Sequence, residues 1–127
     1  MPYTIILLTS RRPDLTPSAF KAHYEDHHMP LVRRQCGDLW PITHTRSYIA
    51  RSDEGSCDAA VIAGAQTDFE FDCVTQMQFE DETHMQKCFE RMAEPQNAEE
   101  RRQDEERFLD MDRIRFVVVE EVCGEAK

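Results

Sequence analysis

The 127-residue sequence predicts a single α+β domain spanning 1–127, with elements in the order β-α-β-β-α-β and one extra helix before the last strand. Three observations predict this fold. Four segments rich in apolar, β-branched or aromatic residues have the length of strands. Helical patterns with start and stop signals lie after the first and third of these segments. The composition, 40% hydrophobic and 9% aromatic, is typical of one globular domain.

The first strand and helix carry the clearest local signals. Tyr3 to Thr9 is a short apolar run that a polar, proline-containing segment ends, so it predicts a strand. Thr16 followed by Pro17 predicts an N-cap and a proline at the first helical position. Pro30 lacks an amide donor, so we expect this helix to kink or stop there. A second helical piece then ends at Cys36-Gly37.

The remaining elements follow from alternation and from helix boundaries. We place further strands at 42–50, 71–79 and 114–122, and further helices from Asp81 or Glu82 to near Pro95 and from Asn97 onward. Residues 52–70 form a connection that is long for a compact domain and that is typical of a lid or binding loop. The charged residues of the last helix predict a solvated face.

This order of elements is the ferredoxin-like split arrangement. Two helices cover only one face of such a sheet, yet the first and last strands are apolar on both faces. In the first strand Ile5 and Leu7 alternate with Ile6 and Leu8. Strands of this kind need burial on both sides, so the sequence predicts a homodimer packed sheet to sheet, a dimeric α/β barrel.

The charge and the cysteines limit the possible partners and the compartment. The 25 Asp and Glu residues against 15 Lys and Arg give a net charge of -10, which disfavours nucleic acid and anionic membranes. No apolar run is long enough to span a bilayer, and no signal peptide is visible. Five scattered cysteines without a C-x-x-C pair predict reduced thiols. We therefore expect a cytoplasmic protein.

Three of the five histidines lie close together in the first helix. His28 shares one helical stripe with Phe20 and Tyr24 and should point inward, whereas His23 and His27 lie on its flanks. The H-x-x-x-H spacing of His23 and His27 could bind a metal, but no further ligand in a suitable spacing completes a site. We therefore expect no metal, and a structural hydrogen bond remains the alternative role for His28.

The pattern F-x-x-x-Y-x-x-x-H-x-P-L, formed by Phe20, Tyr24, His28, Pro30 and Leu31, resembles the EthD-like family of dimeric α/β-barrel proteins. The segment 11–13, the start of the third strand at 71–72 and the segment 104–119 are also similar to that family, the last to its fungal members. The resemblance implies a pocket between the first helix and the sheet. It implies His28 and Asp72 as the polar pair of that pocket, lined by Tyr24.

We expect the hydrophobic small-molecule substrate to be bound by residues around this pocket, namely Phe20, Pro30, Leu31, His44, Arg46 and Phe79. His44, Arg46 and Tyr48 share one face of the second strand, where Arg46 could hold a substrate carboxylate. A solvated or interfacial strand face is the alternative for these three residues.

The resemblance implies oxidative degradation or fungal aromatic polyketide pathways. The resemblance thus implies an enzyme of secondary metabolism, a lyase or cyclase with a polyketide-like substrate. A histidine beside a carboxylate and a phenol could decarboxylate, dehydrate or cyclise such a substrate by proton transfer without a cofactor. No nucleotide- or flavin-binding motif is present in the sequence, so no cofactor is expected. A cofactor-free monooxygenase and a non-catalytic binding or accessory protein remain as alternatives.

Overall fold

The computed structural model describes residues 2–122 and 124. Its four strands form one antiparallel sheet in the order β2-β3-β1-β4. The strands are β1 (Tyr3–Thr9), β2 (Thr43–Tyr48), β3 (Cys73–Phe79) and β4 (Arg115–Val119). The helices are α1 (Pro17–His23), α2 (Met29–Cys36), α3 (Glu82–Met92) and α4 (Pro95–Glu105), with a π-helical turn at Tyr24–His28. The predicted α+β, ferredoxin-like fold is confirmed.

The start of α1 follows its sequence signals. Thr16 has extended backbone angles, and its Oγ1 accepts a hydrogen bond from the amide of Ala19 at 3.1 Å. Pro17 occupies the first turn, where no intrahelical partner is lost. The predicted N-cap is confirmed, and it fixes where the histidine-bearing helix begins.

The interruption of the first helix lies one turn earlier than expected. The chain stays right-handed and helical through Met29. The amide of Met29, however, donates to the carbonyl of Tyr24, which lies five residues earlier and not four. Pro30 then falls in the first turn of α2, where its missing amide leaves no gap in the ladder. The π turn at 24–28, and not a stop at Pro30, therefore separates α1 from α2.

Other boundaries differ from the expectations by a few residues. α4 begins at Pro95 instead of Asn97, because proline suits the first turn of a helix. The long connection 52–70 carries a single bridge between Arg51 and Ala59 and a 3₁₀ turn at Gln66–Phe69. It is thus partly ordered by its own hydrogen bonds, among them those that the Gln66 side chain makes to the backbone of Ala59, each at 2.9 Å.

The register decides which sheet face meets the helices. Ile5 pairs with Met77, and His44 with the same residue, so these side chains share one face. The buried side chains form two clusters against the helices. One contains Ile5, Cys36, Met77, Phe79 and Cys88, and the other contains Phe20, Tyr24, Cys73, Phe108 and Leu109.

The edge strand β4 remains exposed. Phe116, Val117 and Val118 each show more than half of their surface, although they alternate between the two faces. Exposed apolar residues on an edge strand are unusual in a monomer, because they invite pairing or packing with another chain. Within residues 2–122 and 124, no helix has both the length and the apolar character needed to cross a membrane.

Gly37, which ends α2, is expected to be sensitive to substitution. Its φ of +54° lies in the left-handed region, and an added Cβ would meet Arg91 Nη1 at 3.3 Å. Gly37→Ala should lower the free energy of unfolding by about 1–3 kcal/mol, measured by urea denaturation. Gly55 also has a positive φ, of +79°, but open space around it. Gly55→Ala is therefore the matched control, and an equal loss in both variants would rule out a role for the contact with Arg91.

Candidate functional site

A cavity of about 400 Å³ lies between the helices and the sheet. Most of its wall is apolar, with side chains from β1, α2, β3, α3 and β4 that include Leu7, Val32, Met77, Phe79, Phe89 and Phe116. The polar side chains of the lining include Tyr24, His28, His44, Arg101 and Glu105, and the thiols of Cys36 and Cys88 also line it. This volume, and a mostly apolar lining with a few polar groups, are typical of small-molecule sites.

His28 is buried at the wall of this cavity and is held by Asp104. Its Nδ1 lies 2.9 Å from Asp104 Oδ2, and His23 Nε2 lies 2.9 Å from the other carboxylate oxygen. A carboxylate only accepts hydrogen bonds, so it fixes the proton of His28 on Nδ1. Among the described residues, Nε2 of His28 has no hydrogen-bond partner.

Burial and charge act in opposite directions on His28. Desolvation lowers the pKa of the imidazole, while the hydrogen bond to Asp104 and its charge oppose that change. Desolvation is the larger effect, so the pKa of His28 lies below its ordinary value. The imidazole is therefore neutral near pH 7, with a basic Nε2 that can accept a proton.

The carboxylate that holds His28 comes from α4. Asp104 and Glu105 close this helix, and Arg101 lies one turn earlier. Glu105 and Arg101 line the cavity, and burial raises the pKa of Glu105. Arg101 Nη1 donates to the Met92 carbonyl at 2.6 Å. The expectation that the charges of this helix form only a solvated face is wrong for these three residues.

Phe108, just beyond α4, anchors the π turn. Its ring is fully buried, and its centroid lies 4.6 Å from that of His23 and 4.9 Å from that of His28. Tyr24 and Phe20 also pack on it, at 5.5 and 5.7 Å. The predicted stripe of Phe20, Tyr24 and His28 thus faces inward as expected. Phe20, however, is closed inside this aromatic cluster and does not line the cavity.

Tyr24 presents its phenol to the sheet. The hydroxyl lies 3.0 Å from Thr75 Oγ1, and burial raises the pKa of the phenol above its usual value. The ring also lines the cavity. Tyr24 is therefore a neutral hydrogen-bonding group beside the site at every pH of interest.

Asp72 does not pair with His28, so that expectation is wrong. Its carboxylate accepts from the Arg11 amide at 2.8 Å, from Arg11 Nε at 3.2 Å and from the Arg51 guanidinium. The reason is the alternation of β3: Cys73 and Thr75 face the helices, so the position before Cys73 does not. Asp72 borders a second, polar pocket of about 370 Å³.

The expected substrate-binding residues divide into two groups. His44 and Phe79 line the cavity, whereas Phe20, Pro30, Leu31 and Arg46 do not. Pro30 is exposed on α2, Leu31 is half-buried, and neither reaches the cavity. Strict helical spacing could not show this, because the π turn shifts the phase of α2 relative to α1.

Arg46 is committed to another carboxylate. Its Nε and Nη2 contact the two oxygens of Glu25 at 2.6 and 3.1 Å, and Tyr48 also donates to Glu25. A guanidinium bound by such a fork is not free to hold a substrate carboxylate, so that role is wrong in this arrangement. His44, Arg46 and Tyr48 all lie on the sheet face that meets the helices. The alternative that they form a solvated strand face is therefore excluded.

His44 is kept neutral beside this pair. Its ring stacks on Trp40 with centroids 5.1 Å apart, and its Nδ1 accepts from Arg46 Nη1 at 2.8 Å. Desolvation and the charge of Arg46 lower the pKa of His44 to about 4. His44 therefore offers a second uncharged imidazole to the cavity.

The sequence contained one signal for the residues that we did not predict. Arg101, Asp104, Glu105 and Phe108 follow the i, i+3, i+4, i+7 spacing of a buried helical stripe. Because Arg101, Asp104 and Glu105 are charged, this spacing did not register as the apolar stripe of a buried helix face. No group of three His, Cys, Asp or Glu side chains suited to a metal occurs in the described part of the chain.

Comparison with known proteins decides the family. The model of the EthD domain matches residues 12–112. The chain belongs to the EthD domain family. Among curated proteins, none matches this sequence.

Two solved structures of this EthD protein's relatives support the fold. An ethyl tert-butyl ether D (EthD) family protein from Bacillus halodurans C-125 has 20% identity and a TM-score of 0.60, over 96% of this chain and 100% of that one. An EthD-like protein from Ralstonia eutropha JMP134 has 15% identity and a TM-score of 0.56, over 93% and 87%. Identities this low establish the shared fold alone.

The charge of Asp104 should be visible in the titration of His28. By NMR, the pKa of His28 should lie below about 6.5 and fall further in Asp104→Asn, because that variant removes the opposing negative charge. Since the folded state holds the neutral form, His28 destabilises the fold as the pH falls from about 6.5 towards the lowered pKa. Asp53→Asn, an exposed change of the same chemistry, is the control. A rise in the His28 pKa on removing Asp104 would contradict the assigned hydrogen bond between His28 and Asp104.

Proposed function

We propose that this EthD protein is a cofactor-independent enzyme that transfers protons to and from a hydrophobic, aromatic or polyketide-like small molecule. The observation that carries the proposal is a neutral, buried imidazole on the wall of an apolar cavity. Its Nδ1 is fixed by Asp104, and its Nε2 has no hydrogen-bond partner in the described chain. This arrangement orients the imidazole as a general base.

Proton transfer uses two groups that line the same cavity. Nε2 of His28 takes a proton from a carbon or hydroxyl next to a carbonyl, and the imidazolium that forms is stabilised by Asp104 at 2.9 Å. Burial raises the pKa of Glu105, so its carboxyl takes up a proton more readily than an exposed glutamate and can pass it to the product or leaving group. Tyr24 assists as a neutral hydrogen-bonding group.

The cavity wall indicates the substrate class. Phe79, Phe89 and Phe116 provide aromatic surface, and about 400 Å³ accommodates a bicyclic or tricyclic ring system. Arg101 is the cation of the wall and could attract an enolate or a carboxylate. Hydroxylated aromatic keto acids combine these features, and they lose CO₂ or water, or close a ring, once an enolate is stabilised.

His28 should accelerate proton exchange at carbon in a simple aromatic ketone. In D₂O, the wild-type protein should increase deuterium incorporation at C2 of 1-tetralone, followed by proton NMR. His28→Gln should reduce this acceleration by about 10²–10⁴, the usual contribution of general acid–base catalysis. Tyr24→Phe should cost less, because it removes a hydrogen bond and keeps the ring. His27→Ala is the control, since His27 is exposed on the flank of the π turn.

The other outcomes discriminate between the remaining functions. Chemical-shift changes on binding 1-tetralone without exchange would indicate a binding protein, and would contradict the enzymatic proposal. Oxygen consumption with a naphthalenediol, dependent on His28, would indicate a cofactor-free oxygenase that uses the same base. Loss of exchange in His27→Ala but not in His28→Gln would require the site to be redrawn around His27.

We also propose that the protein is a homodimer packed through the uncovered face of its sheet. Val117 pairs with Ile6 on the face opposite the helices and is 54% exposed. A second copy on this face would bury apolar surface that one chain leaves exposed. The active cavity lies on the other face, so each chain contains its own His28.

The dimer should dissociate when a charge is placed on this face. Light scattering should give about twice the chain mass of 14.9 kDa for the wild type and the monomer mass for Val117→Lys. Ile62→Lys is the control, because Ile62 is a fully exposed apolar residue in the 52–70 connection. A wild-type mass near that of one chain at micromolar concentration would overturn the proposal.

A further inference from the structure

Two buried thiols lie in contact on the helical wall of the cavity. Cys36, the last residue of α2, and Cys88, in α3, have their Sγ atoms 3.3 Å apart. Both residues are at most 3% exposed, yet both line the cavity that gives them access to small molecules. The Met92 sulfur lies 3.4 Å from Cys36 Sγ.

We propose that Cys36 and Cys88 form a reversible disulfide when a hydroperoxide enters the cavity. A disulfide bond is about 2.0 Å long, so the two sulfur atoms need to approach by only about 1.3 Å. Both belong to helices that pack against each other. A change of side-chain rotamers can supply such a movement without moving the backbone far.

The hydrogen bond between the two sulfur atoms makes the thiols unequal, and the charge of Arg91 acts on both of them. The guanidinium of Arg91 donates to the Cys36 carbonyl at 2.8 Å, close to the thiol pair. The hydrogen bond between the thiols has the largest effect on both groups: it lowers the pKa of Cys88 and raises the pKa of Cys36, while the charge of Arg91 lowers both. Cys88 is therefore the attacking residue and Cys36 the resolving one.

The reaction balances with one molecule of hydrogen peroxide. The Cys88 thiolate attacks one peroxide oxygen and breaks the O–O bond, which gives a sulfenic acid and, after protonation, water. Cys36 sulfur then attacks the Cys88 sulfur and displaces a second water, with the thiol proton going to the leaving hydroxyl. Two thiols and hydrogen peroxide thus give one disulfide and two waters, and an external thiol reverses the change.

The consequence is a covalent link between α2 and α3. It closes a loop of about 50 residues that contains β2, the 52–70 connection and β3. A cross-link over a loop of this length strongly reduces the conformational entropy of the unfolded chain. The oxidised protein should therefore melt about 5 °C or more above the reduced one.

The test is oxidation of the intact chain in a Cys57→Ser, Cys123→Ser background. This removes the exposed thiol of Cys57 and the thiol at 123, which lies outside the described residues. Stoichiometric hydrogen peroxide should lower the intact mass by 2 Da, and peptide mapping without reductant should join Cys36 to Cys88. Dithiothreitol should restore the mass.

The matched control is Cys73, which is fully buried but lies beside Thr75 Oγ1 at 3.6 Å. Cys73→Ser should keep the 2 Da loss, and Cys36→Ser should convert it to a gain of oxygen at Cys88. The proposal is overturned if the background protein keeps its mass, gains oxygen only, or joins another pair. Because the decisive reading uses the native Cys36 and Cys88, it does not depend on how well a core variant folds.

Discussion

The carboxylate of Asp104 joins two parts of the chain that are about eighty residues apart, and the shape of the cavity depends on that junction. It accepts from His23 with one oxygen and from His28 with the other, so α4 and the π turn are held at one point. The imidazoles of His23 and His28 are thereby held against the buried ring of Phe108, which packs on the same turn. Neither contact alone would fix the rings, because an aromatic surface sets position and a hydrogen bond sets direction.

Burial and charge are balanced differently at each ionisable group of the wall. His28 and His44 lose charge through desolvation, and the pKa of Glu105 rises for the same reason. The fold thus places two imidazoles and a carboxyl, each with its pKa shifted towards the neutral form, around an apolar volume. Arg46 keeps its charge because it is paired with Glu25. Arg101 keeps its charge while donating to Gln35 and to the Met92 carbonyl. A site of this kind accepts a hydrophobic molecule at little cost in desolvation, since few of its groups must give up hydration.

Local rules predicted the fold and part of the site. Thr16, Pro17 and Gly37 act through the backbone next to them, so their roles could be predicted from sequence alone. The inward direction of His28 followed from helical spacing. Its partner could not be predicted, because the pairing depends on the packing of α4, which no local pattern records. The partners of Asp72 could not be predicted either, because a shift of one position along a strand moves a side chain to the other face of the sheet.

The π turn at 24–28 holds one residue more than the corresponding α-helical turn would. In an α-helix each residue advances the side-chain direction by about 100°. Loss of a single residue there would therefore rotate every α2 side chain relative to α1, and Val32, Gln35 and Cys36 would leave the interior. The interior packing of α2 therefore constrains the number of residues in this segment as well as their types.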